Sequence, residues 1–289
     1  MTPTNAFTID VEDYFQVEAL SRAIPRDRWP DMEYRCERNV HRLLALLEEK
    51  KVHGTFFILG WIAERSPQLI REISAAGHEI ASHGMSHRLI YKQSREEFRS
   101  ETRRSKQLLE DLIGKPVVGY RAASFSIVKS SLWALDELID AGFRYDSSVF
   151  PVHHDNYGIP DAPLEPYEIK APSGRTLVEF PMSVARWGAF RLPVSGGGYF
   201  RIFPYWLTRS SLKRINQIEQ RPFVFYLHPW EIDAEQPRVK AGWKSRLRHY
   251  TNLSRCEQRL RRLLTEFPFA PMCDVLAGTR IDAPARAAA

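Results

Sequence analysis

The sequence predicts an α/β fold on a mainly parallel sheet. In the first half, short β-rich apolar runs alternate with amphipathic helical patterns, the signature of βαβ units. Polar, chemically useful residues recur just after those runs, at the strand ends where parallel sheets bind ligands. With 289 residues and 44% hydrophobic composition, the chain can bury one large core.

The elements follow in order. "AFTID" (6–10) reads as the first strand. Val40, Leu43, Leu44 and Leu47 keep the i, i+3, i+4, i+7 spacing of a helix. "GTFFIL" (54–59) is a strand between two glycines, and Pro67 to Ala76 is a helix stopped by Gly77. "HEIASH" (78–83) is a short strand. Ser94 and Glu97 make a capping box that opens a long helix to about Ile113, closed by Gly114. "VVGYR" (117–121) is the next strand, Leu132, Leu135 and Leu138 mark a helix, and "FRYDSS" (143–148) is a strand leaving into a loop. Residues 149–175 read as an irregular excursion. "TLVEFPM" (176–182) is a strand, "SGGGYFRIFP" (195–204) a Gly-rich loop before a helix to about Glu219, and "PFVFYLHPWE" (222–231) a buried strand with a polar end. Basic helices follow.

Composition excludes several classes. Cys36, Cys256 and Cys273 are odd in number, far apart and without a CxxC pair, so neither a disulfide framework nor a zinc ribbon is predicted. The opening "MTPTNAFTID" has no charged n-region and no apolar h-region, and no run of about 18 apolar residues occurs, so the expected location is the cytoplasm. A net charge of +6 points to an anionic partner. No helix-turn-helix, RNP or zinc-finger pattern accompanies the basic stretch 238–262, which argues against nucleic acid. The "GGG" at 196–198 lacks P-loop spacing.

The chemistry concentrates at the predicted strand ends. "TIDVEDYF" (8–15) packs Asp10, Glu12 and Asp13 into four positions. Carboxylates this close repel, so a cation should sit nearby: a metal, a buried arginine, or solvent alone. "HGMSH" places His83 and His87 four apart, which on a helical turn would aim both imidazoles one way, as metal ligation needs. Against this stands the ordinary reading of surface histidines; the nearby carboxylates favour a His, His, carboxylate metal set. Arg121 is read as partner to the N-terminal carboxylates or as a surface ion pair. His228 is a site residue at a strand end or a satisfied core histidine, and Asp146 is functional or a turn cap.

With these residues in place, the chain resembles the polysaccharide deacetylase family (NodB homology, carbohydrate esterase family four). Five motifs recur in order: "TIDVED", "SHGMSH", "YRAASFS", "YDSS" and "FYLHP". The likeness runs from about residue 6 to 275, and "DVEDYF", "SGGGYFR" and "LHPWE" are similar to a cytoplasmic branch associated with exopolysaccharide and exosortase systems. Two departures matter. The first motif has an inserted Val and Glu, which leaves Glu12 and Asp13 both open as metal carboxylate. The third motif has Ala123 where Pro is usual.

The resemblance implies an irregular (β/α) barrel of about seven parallel strands. It implies a catalytic domain over 1–235, a basic helical extension over 236–275 packed on it, and a disordered tail over 276–289. It further implies one divalent metal, zinc by expectation, on His83, His87 and one of Glu12 or Asp13. Asp10 would be general base, Arg121 would hold Asp10 ionised, His228 would protonate the leaving amine and Asp146 would orient His228. A backbone N–H near Tyr145–Ser148 would meet the oxyanion. Tyr145, Trp187, Tyr199 and Trp230 are the candidate sugar-binding residues. The expected partner is an N-acetylated glycan or exopolysaccharide precursor, with peripheral contact to an anionic inner-membrane surface as a further expectation; the oligomeric state stays open. The rivals are a ureide-type metal amidohydrolase on the same fold and a non-catalytic glycan-binding relative.

Overall fold

The computed structural model describes residues 3–154, 157–188 and 190–279. In chain order they form β1 (Asn5–Val11), α1 (Cys36–Lys50), β2 (Thr55–Ile58), α2 (Gly60–Arg65), α3 (Pro67–Ala75), β3 (Glu79–Ser82), α4 (Arg95–Ile113), β4 (Gly119–Tyr120), α5 (Ala134–Asp140) and β5 (Tyr145–Asp146). Then follow β6 (Tyr167–Lys170), β7 (Thr176–Glu179), β8 (Val184–Trp187), β9 (Phe190–Pro193), α6 (Gly197–Ile202), α7 (Tyr205–Gln217), β10 (Val224–Leu227), α8 (Trp243–Tyr250), α9 (Leu253–Glu266), β11 (Phe269–Ala270) and α10 (Met272–Ala277).

The main sheet runs β10-β1-β2-β3-β4-β5-β7-β6, with β11 also on β1. Seven neighbours, β10 through β7, are parallel, and only β6 runs antiparallel, on β7. This is the irregular (β/α) barrel expected from the motifs. Because the seven strands point one way, their C-terminal ends form one rim. β1 is buried along its whole length, as a strand with cover on both faces must be.

The barrel is completed by chain irregularity rather than by another strand. Between β7 and β10, Ser183 Oγ accepts the Val224 N–H at 2.8 Å and the Ser195 carbonyl accepts the Tyr226 N–H at 2.7 Å. Gly196 has φ +133°, and a Cβ there would lie 1.9 Å from the Tyr226 carbonyl oxygen. The "SGGG" run is therefore the place where the backbone presses on β10, and a helix starts at once behind it.

Several expected boundaries shift. The stretch 195–204, expected as a loop, contains α6. The excursion 149–175 contains β6, and β8–β9 is a hairpin that no clear alternation announced. The expected tail begins later than residue 276, because α10 runs through Ala277; residues 280–289 of that tail lie outside the described residues. The capping box forms as read: Ser94 Oγ accepts the Glu97 N–H at 3.2 Å and Glu97 accepts the Ser94 N–H at 2.8 Å. No helix among the described residues is long and apolar enough to cross a membrane.

Candidate active site

The rim collects side chains from five strands. Asp10 lies in β1, and Glu12 follows it through a tight turn in which the Glu12 N–H reaches the Asp10 carbonyl at 3.0 Å. His83 and His87 follow β3, Arg121 follows β4, Asp146 ends β5 and His228 follows β10. Glu12, His83 and His87 bring one ligand atom each within 4.8 Å of one another, all buried.

The histidine pair does not sit on a helical turn, as its spacing suggested. Residues 83–88 form a loop, and His87 adopts φ +52°, a left-handed conformation unusual for a residue with a Cβ. Such backbone costs about 1–3 kcal/mol and persists only where its surroundings fix it. Arg26 does so: its Nε and Nη2 donate to the Ser86 and His87 carbonyls at 2.9 and 2.8 Å. The adjacent Ser86 hydroxyl is held by Glu101. The loop is thereby turned so that the two imidazoles stand 5.3 Å apart, centroid to centroid.

The donor set suits a divalent metal. His83 Nδ1 bonds the Arg121 carbonyl at 2.9 Å, which fixes the ring and leaves Nε2 for the cluster. Burial pulls the His83 imidazole down to about 4, so it is neutral, the ligating form, at physiological pH. Burial alone would raise the Glu12 carboxyl, but His87, His228 and His83 outweigh it and hold Glu12 at about 2. Glu12 Oε2 lies 2.7 Å from His87 Nε2, yet it is buried and receives no well-directed hydrogen bond. Buried oxygens are normally satisfied. An orphaned carboxylate oxygen facing two imidazoles fits a cation bound between them, and two nitrogens with one oxygen suit zinc or a similar ion.

Asp13, the other carboxylate left open by the sequence, is not in this cluster. Its oxygens accept the backbone N–H groups of Tyr14, Arg35 and Cys36 at 2.8, 2.6 and 2.8 Å. It caps the start of α1, where a carboxylate satisfies orphan donors and meets the helix dipole. Burial pushes its carboxyl up to about 6.

Arg121 is wholly buried. Its Nη1 donates to Asp10 Oδ1 at 2.6 Å and Thr8 Oγ1 at 2.8 Å, and its Nε and Nη2 hold the Ser147 carbonyl and hydroxyl. Its guanidinium lies 4.0 Å from the Phe57 ring centroid. Asp10 Oδ1 is thus fixed from behind, while Oδ2 faces His228 Nε2 at 3.9 Å. His228 Nε2 is also 3.4 Å from Glu12 Oε1. Phe125 and Ser124 carry positive φ in the loop after Arg121, where Ala123 replaces the expected Pro.

His228 has a different partner from the one expected. Asp146 does not orient it: Ser148 Oγ donates to Asp146 Oδ1, and Asp146 pairs across the ladder with Glu179. Burial raises both carboxyls, Asp146 to about 6 and Glu179 well above its usual range, and the Asp146 charge beside it raises Glu179 further. Glu231 holds His228 instead. His228 Nδ1 donates to Glu231 Oε1 at 2.8 Å, and the His228 backbone N–H reaches the same oxygen at 3.1 Å. Arg201 Nε then binds Glu231 Oε2, and its two Nη groups donate to the carbonyls of Arg248, His249 and Thr251 at 2.8–3.0 Å. Arg201 rides on α6, the helix that the "SGGG" contact brings against β10. Burial would lower the His228 imidazole, but Glu12, Glu231 and Asp10 outweigh it and lift it to about 9.

The four candidate sugar-binding residues separate. Tyr145 is fully buried and donates to Glu79 Oε1 at 2.8 Å, at the opposite end of β3, so it is a core residue. Trp230 is 5% exposed and stacks between His228 and His249 at 5.3 and 4.2 Å, so it props the His228 ring. Tyr199 joins an aromatic wall with Phe150 and Tyr157, which reaches His228 through Phe125 and Tyr226. Trp187 is exposed on the β8–β9 hairpin under the Arg214 guanidinium. Of the backbone groups named for the oxyanion, the Tyr145 and Ser147 N–H groups are occupied by the Val118 and Tyr120 carbonyls.

Residues 27–144 match the family described as "Polysaccharide deacetylase", and residues 147–277 match "Domain of unknown function (DUF3473)". A peptidoglycan-N-acetylglucosamine deacetylase of Bacillus cereus is 29% identical over 116 residues, 40% of this chain and 40% of that protein. The chain thus spans less than half the length of that curated relative. A solved structure from Mycobacterium smegmatis assigned to the polysaccharide deacetylases superposes with a TM-score of 0.65, at 23% identity, over 100% of this chain and 94% of the other. The PuuE allantoinase superposes with a TM-score of 0.58, at 15% identity, over 94% and 88%. At these identities the two structures establish the fold alone.

Proposed function

We propose, for a chain whose residues 27–144 belong to the polysaccharide deacetylase family, that it hydrolyses N-acetyl groups from an amino sugar in a glycan or exopolysaccharide precursor and releases acetate. One observation carries this reading: a carboxylate braced by a buried arginine and an imidazole braced by a buried carboxylate face each other at 3.9 Å beside the Glu12, His83 and His87 cluster. Amide hydrolysis needs that pair. A base must take a proton from water, and an acid must give one to nitrogen, because an amine anion does not leave at neutral pH.

Glu12, His83 and His87 would hold the metal, zinc by the donor set. Such an ion, when bound, polarises a carbonyl and makes water acidic. Asp10 takes the water proton at Oδ2, since Arg121 occupies Oδ1. His228 delivers a proton from Nε2 to the departing amine, since Nδ1 is committed to Glu231. Glu231 fixes the ring's tautomer and plane, and Trp230 blocks its rotation. Tyr157 and Tyr199, the half-buried end of the aromatic wall, offer the stacking surface for a sugar, while Tyr226, Phe125 and Phe150 back them from the core. Cys36 and Cys256 are buried and form no disulfide among the described residues, which supports a reducing compartment, the cytoplasm, as the place of reaction.

The test is acetate release from N-acetylglucosamine oligomers by metal-loaded protein, run beside a cyclic ureide such as allantoin. Acetate release with no ureide turnover is expected. Ureide turnover without acetate would replace this reading with that of a ureide hydrolase. Binding of the oligomer without turnover would make the chain a glycan-binding relative.

A further inference from the structure

From Gln236 to Cys256 the chain carries six Lys or Arg residues and no Asp or Glu. Within that stretch, α8 turns two large apolar side chains outward: Trp243 is 71% exposed and Leu247 59%. They are four residues apart, so they share one helix face. Behind them, the turn at Glu18–Leu20 and the start of α8 enclose a cleft of about 540 Å³. Arg22, Lys240 and Arg246 line it, with Ser245, alanines and a glycine, and no acid. Among the described residues, none of Arg22, Lys240, Lys244, Arg246 or Arg248 forms an ion pair. Exposed cations elsewhere, such as Arg28, Arg42, Arg104 and Lys129, each have a carboxylate partner.

We propose that α8 and this cleft form a docking face for an anionic lipid surface. Tryptophan favours the membrane–water interface, and Leu247 beside it adds apolar area that enters the headgroup boundary. Lys244, whose ammonium lies 5.6 Å from the Trp243 ring centroid, and the other unneutralised cations flanking α8 supply the attraction to lipid phosphates. Neither feature suffices alone, since stable peripheral binding takes two signals. A nucleic acid is a poorer occupant, because Trp243 and Leu247 stand on a helix face with no Asn or Gln between 237 and 251 to read base edges. The proposal goes beyond the deacetylase reading and does not depend on it.

The test is co-sedimentation of the full chain with vesicles of phosphatidylcholine alone or mixed equally with phosphatidylglycerol. Binding to the mixed vesicles at low salt, little binding to phosphatidylcholine, and release at high salt are expected. Lys240→Glu with Arg246→Glu should weaken binding about tenfold or more. Trp243→Ser with Leu247→Ser should weaken it about tenfold and leave the salt dependence in place. Both double variants should keep the thermal midpoint and the turnover of a soluble substrate. No binding to the mixed vesicles at low salt overturns the proposal, as does binding that neither double variant changes. Capture by duplex DNA but not by vesicles overturns it as well, and assigns the cations to a soluble polyanion.

Discussion

The two arms of the site are built differently. The metal-and-base arm, Asp10, Glu12, His83, His87 and Arg121, comes from the ends of β1, β3 and β4 in the first 121 residues, and Arg121 ties β4 back to Asp10 on β1. The acid arm, His228, Glu231, Arg201, Trp230 and His249, comes from the region matched as a domain of unknown function. It draws on chain from residue 201 to residue 249 and is held by a buried ion pair and a ring stack. The first arm depends on strand order. The second depends on a helix, α6, being pressed against β10 by glycines. The arms meet where His228 Nε2 stands 3.4 Å from Glu12 Oε1 and 3.9 Å from Asp10 Oδ2, so each can be broken separately and the effect on the other read.

The largest effects should separate the arms most clearly. His83→Ala should lose both metal and turnover. Asp10→Asn should keep metal, by elemental analysis, and lose roughly 10²–10⁴-fold in kcat, the usual contribution of a positioned acid or base. Next, Arg201→Ala leaves the Glu231 carboxylate buried without its partner. A broken buried pair costs about 3–5 kcal/mol, so denaturant unfolding should show a loss of that order with the metal-binding stoichiometry of the folded fraction unchanged. Equal metal loss in Arg201→Ala would mean that the arms are one unit.

A smaller effect tests the pair behind Arg121. The Asp146 and Glu179 carboxyls are raised in the folded state, so the native protein holds a proton that the unfolded chain has released. Stability from this pair is present at acid pH and falls as pH rises from about 4 through about 6 and above. The slope is at most about 1.4 kcal/mol per pH unit for one proton. Glu179→Gln should flatten the midpoint-against-pH curve on the alkaline side; an unchanged slope would show that the pair does not share a proton. The smallest effect is Ser94→Ala, which removes the α4 cap. It should cost about 1 kcal/mol and leave turnover unaltered.

The same contrast explains what the sequence made legible. The alternation of strands and helices, the α4 capping box and the pairing of His83 and His87 with a carboxylate cluster are written in local spacing and are readable from it. Asp13 is beyond such reading: it sits one residue from Glu12, and only the direction of a tight turn sends one to the cluster and the other to the α1 N-terminus. Glu231 carried a usable signal, since it lies three residues after His228 and forms a capping box with it. The expectation that Asp146 would serve His228 fails because Asp146 is engaged by Ser148 and lies against Glu179, while Glu231, three residues along, takes His228 Nδ1. Arg201, Trp230 and His249 become partners of His228 only through long-range packing, which leaves no periodic trace. Tyr145 was misjudged for a simpler reason: neighbouring strand residues face opposite ways, and next to the functional-looking Asp146 its side chain turns toward Glu79.

The most direct measurement is single-turnover acetate release by His228→Ala, loaded with metal and assayed for metal content in the same preparation. A full equivalent of metal, with release slowed by roughly 10²–10⁴-fold and no recovery at higher substrate, is the predicted result. Release at the wild-type rate from that metal-loaded variant would contradict the account, because the acid arm would then have no part in the reaction.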